Sequence, residues 1–262
     1  MFSLQLANSE TGVLQPVRDM AATLTGTGKI FHTDAVQAVG RVAVDFKQLG
    51  VDLMSISAHK IGGPQGVGAL VVRAGVELPA LMLGGGQQRW RRSGTENVAG
   101  IAGFGAAAKA ALAGLAGAGE VARLRDRLEA AVLEITPECV IVGANATDRA
   151  SRLPNTSCIA VPGVEAATLL IKLDLAGIAV SAGSACSSGK IGGSHVLTAM
   201  GIDPALARSA IRVSLGYTST EHDVAHFVAA WTAIHRPSDK QSTNRTAAGA
   251  VSRSPVHPQA GE

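Results

Sequence analysis

Residues 29–72, KIFHTDAVQAVGRVAVDFKQLGVDLMSISAHKIGGPQGVGALVV, decide the fold. Three apolar runs in this stretch are typical of strands, at residues 29–33, 51–57 and 68–72. Helical patterns alternate with strands here and upstream, which predicts an α/β protein with a largely parallel, covered sheet. Ligands of such sheets bind beyond the carboxyl ends of the strands. Asp34 and Lys60 both follow strand ends and are therefore candidate site residues.

The pattern restarts after the glycine-rich residues 117–119. A helical stripe follows, then predicted strands at residues 139–142, 156–161 and 210–215 and predicted helices at residues 164–176 and 224–234. We therefore expect two domains, residues 1–118 and 119–236. Residues 237–262 are polar and without periodicity, which predicts a disordered tail.

The composition favours a folded protein and excludes several classes. The chain has 262 residues, of which 47% are hydrophobic and 16% charged, so it can bury a core. A net charge of +3 gives no argument for nucleic-acid binding. Residues 98–119 are mostly Ala and Gly and contain Lys109, so we expect a buried or interdomain helix and no membrane partner. The first residues lack the basic and apolar regions of a signal peptide.

The three cysteines, Cys139, Cys158 and Cys186, are far apart and form no CxxC pair. This pattern argues against a disulfide framework or a zinc site, and a reducing cytoplasm is the simplest compartment. Cys139 and Cys158 lie in predicted strands, where a free cysteine is usually a small buried hydrophobe. Cys186 lies among small polar residues, where an exposed thiol can act as a nucleophile.

Lys60 and Asp34 carry the chemistry that the sequence predicts. A lysine held at a strand end can react with a carbonyl compound through its amine, and a carboxylate at a neighbouring strand end can pair with a pyridinium nitrogen. That combination recurs in pyridoxal-phosphate enzymes. Taken singly, Lys60 would more often be a surface lysine in a glycine-rich loop, and Asp34 a helix cap.

Six motifs resemble the cysteine desulfurases, a branch of the class V aminotransferase family of pyridoxal-phosphate enzymes. They are ANSETG (7–12), HTDAVQ (32–37), SAHK (57–60), GGGQQR (84–89), RSGTEN (92–97) and GSACSSG (183–189). The resemblance runs from about Leu6 to about Val228. It implies pyridoxal-phosphate fold type I, with a partial cofactor-binding large domain and a smaller C-terminal α/β domain that carries the cysteine loop.

The resemblance also implies a cofactor role for several residues. Lys60 would be joined to pyridoxal 5'-phosphate, Asp34 would keep the pyridine nitrogen protonated, and Gln37 would donate to the ring oxygen. Ser57 and His59 would contact the phosphate, although a hydroxyl at a strand end can equally be bonded locally.

The resemblance also implies roles for three residues away from the strand ends of Asp34 and Lys60. Thr95 would reach the cofactor phosphate of the other subunit, which implies a homodimer; the alternative is an N-cap of the next helix. Ser9 replaces the second Asn of an Asn-Asn-Glu motif and is a doubtful cofactor contact. Arg212 would bind the substrate carboxylate, with a structural salt bridge as the alternative. Nothing beyond strand packing is assigned to His32.

The implied reaction is desulfuration of L-cysteine. Cys186 would take the sulfur as a persulfide, leaving L-alanine, and pass it to an iron–sulfur scaffold or another acceptor protein. The resemblance also leads us to expect that an N-terminal part of the cofactor domain is absent, with its Ala-Thr phosphate loop and the histidine that stacks on the ring. Alternatives are therefore a catalytically impaired remnant, or a lyase for selenocysteine or a sulfur amino acid. A thiol in the GSACSSG loop favours a desulfurase over such a lyase.

Overall fold

The computed structural model describes residues 1–144, 152–182 and 194–235. Its strands are β1 (Phe2–Gln5), β2 (Phe31–Asp34), β3 (Leu53–Ser57), β4 (Gly68–Val72), β5 (Val140–Ile141), β6 (Thr156–Ala160), β7 (Ser181–Ala182) and β8 (Ala210–Ser214). Its helices are α1 (Val17–Leu24), α2 (Phe46–Leu49), α3 (Gln87–Trp90), α4 (Val98–Gly114), α5 (Ala118–Ile135), α6 (Ala166–Leu175), α7 (His195–Ala199), α8 (Pro204–Arg208) and α9 (Glu221–His235). Short 3₁₀ turns occupy Ala58–Ile61 and Leu115–Gly117.

The first sheet has the strand order β1-β2-β3-β4. Strands β1, β2 and β3 are parallel and β4 is antiparallel, which confirms a largely parallel sheet. Side chains alternate between the two faces of a strand. On one face, Phe31 and Met54 pack with Val17 of α1. On the other face, Ser3 and Asp34 are exposed, so the prediction of a covered sheet is wrong for this face in the described part of the chain.

The second sheet has the order β5-β6-β8-β7 and is antiparallel throughout. Helices α5, α6 and α9 pack on it around a core that includes Leu128, Leu169, Ile211 and Trp231. The indole Nε1 of Trp231 donates to the Thr136 hydroxyl at 3.1 Å, which satisfies the one polar atom of a fully buried ring. The strands and helices predicted for this region are confirmed to within a few residues at their ends, whereas β7, α7 and α8 were not predicted.

Two predictions on domain limits are left open. Helix α5 begins at Ala118, and the predicted boundary between residues 118 and 119 remains a prediction. The predicted disordered tail, residues 237–262, lies outside the described residues.

Helix α4 differs from its expected environment. Only Gly100 and Phe104 are buried, while Val98 is 73% and Leu112 is 72% exposed. The expectation of a buried helix is therefore wrong for most of α4, and the alternative of an interdomain helix stays a prediction. The helical stretch Val98–Ile135 is long and apolar enough to cross a membrane by length and composition. A single such stretch is weak evidence, and its second half, α5, packs against α9.

The turn at residues 8–13 joins the two sheets. Gly12 has a φ of +75°, and a Cβ at this position would lie 3.0 Å from the Cβ of Thr156, so the close approach requires glycine. The Gly12 carbonyl accepts the Leu153 N–H at 2.7 Å, and Val13 forms a bridge with Arg152. Leu153 is buried in the core of the first sheet, which ties the start of the segment leading to β6 to that sheet.

Candidate active site

Asp34 and Lys60 lie at the same edge of the first sheet. Asp34 is the last residue of β2 and is paired with Ser55 of the parallel neighbour β3. Lys60 lies in the 3₁₀ turn Ala58–Ile61, directly after β3. Because the carboxyl ends of parallel strands share one edge, the sequence prediction that these two residues gather there agrees with their positions in the fold.

The polar residues at this edge are held by local hydrogen bonds. Asp34 Oδ1 accepts the Val36 N–H at 2.9 Å and thereby fixes the turn that leads to Gln37. The Ser57 hydroxyl lies 2.8 Å from Nδ1 of His59, so Ser57 has the local partner that the alternative interpretation expects. A turn follows Asp34, and the next described helix, α2, is capped by Asp45, so the alternative of Asp34 as a helix cap is not observed there. The contact of Asp34 with Val36 and the serine–histidine contact leave other atoms of these side chains available to a ligand.

Arg41 connects the turns of two predicted site residues, Gln37 and Lys60, and was not identified from the sequence. Its Nη1 donates to the Gln37 carbonyl at 2.6 Å, and its Nη2 donates to the Lys60 carbonyl at 3.3 Å. Burial, and then the nearby guanidinium of Arg212, lower the pKa of Arg41 from its ordinary value. Arg41 and Arg212 are therefore near enough for their like charges to interact, although no direct contact joins them among the described residues. The position of Arg41 four residues after Gln37, in the same turn, is the signal that could have found it.

Arg212 lies on β8 and reaches from the second sheet to the first. Its Nη1 donates to the Ser9 carbonyl at 2.9 Å and its Nη2 to the Ser181 hydroxyl at 3.3 Å. Its Nε is buried and has no hydrogen-bond partner among the described residues. The ion pairs found in the described part of the chain do not include Arg212, so the structural salt bridge is not observed there. A guanidinium bonded to neutral acceptors is suited to bind a carboxylate.

The remaining predicted residues fall in different places. Ser9 meets Arg212 through its backbone carbonyl, not through the hydroxyl that the sequence singled out. Thr95 lies in an exposed loop before α4, whose N-cap is Asn97, because the Asn97 side chain accepts the Gly100 N–H at 3.0 Å. The alternative of Thr95 as an N-cap is therefore wrong. Cys186 lies outside the described residues.

Cys139 and Cys158 are buried free cysteines, as the sequence predicts. Burial raises the pKa of Cys139 to about 11 and that of Cys158 to about 12, and nearby carboxylates add to both effects. Neither thiol will ionise near neutral pH, so neither is a suitable nucleophile. Within the described ranges, His, Cys, Asp and Glu form no group of three or more that could hold a metal ion.

A family model described as aminotransferase class-V matches residues 1–227. The chain belongs to this family. The class V aminotransferase assignment confirms the resemblance and the α/β, fold type I architecture predicted from the motifs.

Individual class V relatives share most of this chain. A cysteine desulfurase of Cereibacter sphaeroides is 46% identical over 224 residues, covering 86% of this chain and 56% of the relative. The X-ray structure of a NifS-like protein from Rickettsia africae ESF-5 superposes with a TM-score of 0.77 and 38% identity, over 88% of this chain and 61% of that one. A structure of SspA in complex with cysteine gives a TM-score of 0.65 and 28% identity, over 83% and 59% of the two chains. The chain thus spans about half the length of the curated relatives it matches.

The described residues fit pyridoxal phosphate. A primary amine and a carboxylate lie at the ends of adjacent parallel strands, and a hydroxyl and an imidazole accompany the amine in the same turn. The buried, unpartnered Nε of Arg212 is a donor suited to an acidic ligand near this edge. The chemistry of this donor set agrees with the family assignment.

Proposed function

We propose that the protein is a cysteine desulfurase that depends on pyridoxal phosphate and transfers sulfur from L-cysteine to its own Cys186. The observation that carries the proposal is the position of Asp34 and Lys60 at neighbouring parallel strand ends, where Arg41 also donates to the Lys60 carbonyl. The name of the Cereibacter relative supports it.

Each residue has a defined task in this proposal. Lys60 would hold the cofactor through its amine, and Asp34 would pair with the ring nitrogen. Pyridoxal phosphate, when bound, withdraws electrons from the Cα atom of the amino acid that it carries. Arg212 would bind the carboxylate of cysteine, and the Lys60 amine would be the base that removes the proton from Cα. Gln37, Ser57 and His59 hold the remaining polar atoms of the cofactor.

The transfer balances with no further reactant. The C–S bond of cysteine breaks, and an S–S bond forms to the Cys186 sulfur. Cysteine minus one sulfur atom is alanine, so the substrate carbon is reduced to a methyl group while the enzyme thiol is oxidised to a persulfide. The persulfide then passes to an acceptor, for which an iron–sulfur scaffold protein is the proposed partner. A homodimer, in which Thr95 completes the partner's site, and a cytoplasmic location are parts of the same proposal.

Borohydride reduction tests the cofactor attachment. The purified 262-residue chain is incubated with pyridoxal phosphate, reduced and digested, and the modified peptide is identified by mass. We expect the label on Lys60 and its loss in Lys60→Ala, whereas Lys47→Ala, which removes an exposed lysine in α2, should keep the label. A label on another lysine, or no label at all, would contradict the proposal.

Product analysis separates the desulfurase from the impaired remnant. With a thiol reductant such as dithiothreitol supplied to reduce the persulfide, the holo-protein should form alanine and sulfide from cysteine, and Cys186→Ser should keep the cofactor and lose sulfide release. Cofactor attachment without turnover would favour the remnant. Full sulfide production by Cys186→Ser would show that the role given to Cys186 is wrong.

A further inference from the structure

The turn at residues 8–13, which joins the two sheets, contacts described residues on both sides of residues 183–193. Its conformation is set by Asn8, whose side-chain oxygen accepts the N–H groups of Glu10 at 2.9 Å and Thr11 at 3.0 Å and the Thr11 hydroxyl at 3.3 Å. Three hydrogen bonds to one oxygen fix the direction in which Glu10 leaves the turn.

Glu10 reaches Ser194, the first described residue after 183–193. The Ser194 hydroxyl donates to Glu10 Oε2 at 2.5 Å. Ser194 Oγ in turn accepts the Leu197 N–H at 3.1 Å and so caps the N-terminus of α7. Glu10 is 8% exposed and Ser194 is 2% exposed. The Ser194 hydroxyl donates its proton to Glu10, and the lone pairs of the same hydroxyl oxygen remain free to accept from the helix N-terminus. The hydrogen bond to the carboxylate and the helix cap therefore stabilise each other.

The same turn is also joined to Ser181, which lies on the N-terminal side of residues 183–193. Its Ser9 carbonyl accepts from Arg212, and Arg212 donates to Ser181 of β7, which precedes residues 183–193. Ser181 is also paired with Arg212 in the ladder between β7 and β8. Ser181 and Ser194 are thus each tied to the turn, Ser181 through Arg212 and Ser194 through Glu10.

We propose that Glu10 is a positioning residue that fixes Ser194, so that the start of α7 is held on the same turn that Arg212 joins to Ser181. The inference rests on the proposed function only in that Cys186, the predicted sulfur carrier, lies between these two serines in the sequence. Fixing both ends of a segment limits the volume that a residue inside it can sample. A buried charge, such as that of the Glu10 carboxylate, requires a hydrogen-bond partner, and the Ser194 hydroxyl supplies one.

Hydrogen exchange on the full chain, without cofactor or cysteine, measures the contact. Glu10→Ala should speed exchange of the Leu197 amide by about tenfold, because a hydrogen bond to a charged group and the cap it supports are lost together. Glu10→Gln keeps the length and an acceptor oxygen and should stay within about twofold of wild type. Adding Glu10→Ala to Ser194→Ala should change exchange little, since the partner is already gone. Glu77→Gln, at an exposed acid, is the matched control.

Alkylation by iodoacetamide at neutral pH distinguishes positioning from a purely structural contact. Cys139 and Cys158 are buried with raised pKa values and serve as slow internal references. Glu10→Ala should raise the Cys186 rate by at least about threefold, and Glu10→Gln should restore it. Leu197 exchange within twofold of wild type in Glu10→Ala, or an unchanged Cys186 rate, overturns the inference. Neither measurement needs turnover, so a chain that shows these effects and forms no alanine would refute the desulfurase alone.

Discussion

The two sheets of the molecule differ in how much of their surface is covered. The second sheet has α5, α6 and α9 packed on it around one closed core, and all five residues of β6 are buried. The first sheet packs α1 on one face and leaves the other face, with Asp34, exposed. The side chains proposed to hold the cofactor lie on the less covered sheet, and the residue proposed to bind the substrate carboxylate extends to it from the better packed one.

This contrast predicts which region contributes most to the stability of the fold and which region binds other molecules. Large apolar side chains are exposed mainly in the first half of the chain, at Leu70, Leu81, Leu83, Val98 and Leu112. Exposed apolar surface of this kind is typical of regions that contact another protein surface. Substitutions in the second sheet should therefore be costly for folding, while substitutions on the exposed surface of the first region should be tolerated.

Trp231→Ala should give the largest loss of stability. The ring is fully buried, stacks on Phe227 with centroids 5.6 Å apart, and donates to Thr136. Removing it should lower the free energy of unfolding by about 4 kcal/mol, measured by chemical denaturation. Trp90→Ala, at an exposed indole, is the matched control and should have little effect. Equal losses for the two tryptophans would contradict the contrast between the regions.

Arg152→Ala should have the next largest effect, because it tests the junction between the sheets. Arg152 donates to both carboxylate oxygens of Glu129 at 3.0 and 2.8 Å, and both side chains are nearly buried. Removing the arginine leaves a buried carboxylate unpaired, at a cost of roughly 3 kcal/mol.

The exposed pair of Arg123 and Glu120 supplies the control for that junction. Both side chains are more than half exposed, so Arg123→Ala should change the free energy of unfolding little. A cost for Arg152→Ala no greater than that of Arg123→Ala would show that the junction contributes little.

The sequence predicted elements with a strong local pattern and missed those defined by distant contacts. The predicted strands at 51–57 and 210–215 and the stripe of α5 were found because alternation and helical spacing are local. β7 has only two residues and forms because it pairs with β8, so no local sequence pattern predicts it. The exposed face of the first sheet could not be predicted, because coverage depends on which elements pack there.

The same distinction applies to the candidate site. Asp34 and Lys60 could be predicted because each lies at or just after the end of a strand. The contacts of Arg41 with Lys60 and of Glu10 with Ser194 join residues that are distant in the sequence. Thr95 was weighed as an N-cap from its residue type, yet the cap is Asn97, two residues later. Helix ends are set by small differences between neighbouring polar residues, so sequence alone places them imprecisely.

Alkaline pH should destabilise the second sheet through Cys158. Its pKa is raised from an ordinary value of 9.0 to about 12, so the folded state keeps the thiol proton while the unfolded chain loses it. The contribution to stability is present below pH 9 and is lost between about pH 9 and pH 12. At pH 10 the loss should be about 1 kcal/mol, because one pH unit corresponds to 1.36 kcal/mol. Denaturation of wild type and Cys158→Ala at pH 8 and pH 10 measures it, and parallel losses in both proteins would contradict the assignment.

Leu112→Ser should have the smallest effect and most directly tests the exposure of α4. The side chain is 72% exposed, so little apolar burial is lost, and the expected change in the free energy of unfolding is below about 0.5 kcal/mol. Leu128→Ser, in the adjoining helix α5, is the matched control, because the same substitution there places a hydroxyl in the core of the second sheet and should cost several-fold more. If Leu112→Ser were as costly as Leu128→Ser at low protein concentration, α4 would be covered within the chain. If its cost grew only as the protein concentration is raised, α4 would be covered by a second copy, as the proposed homodimer allows.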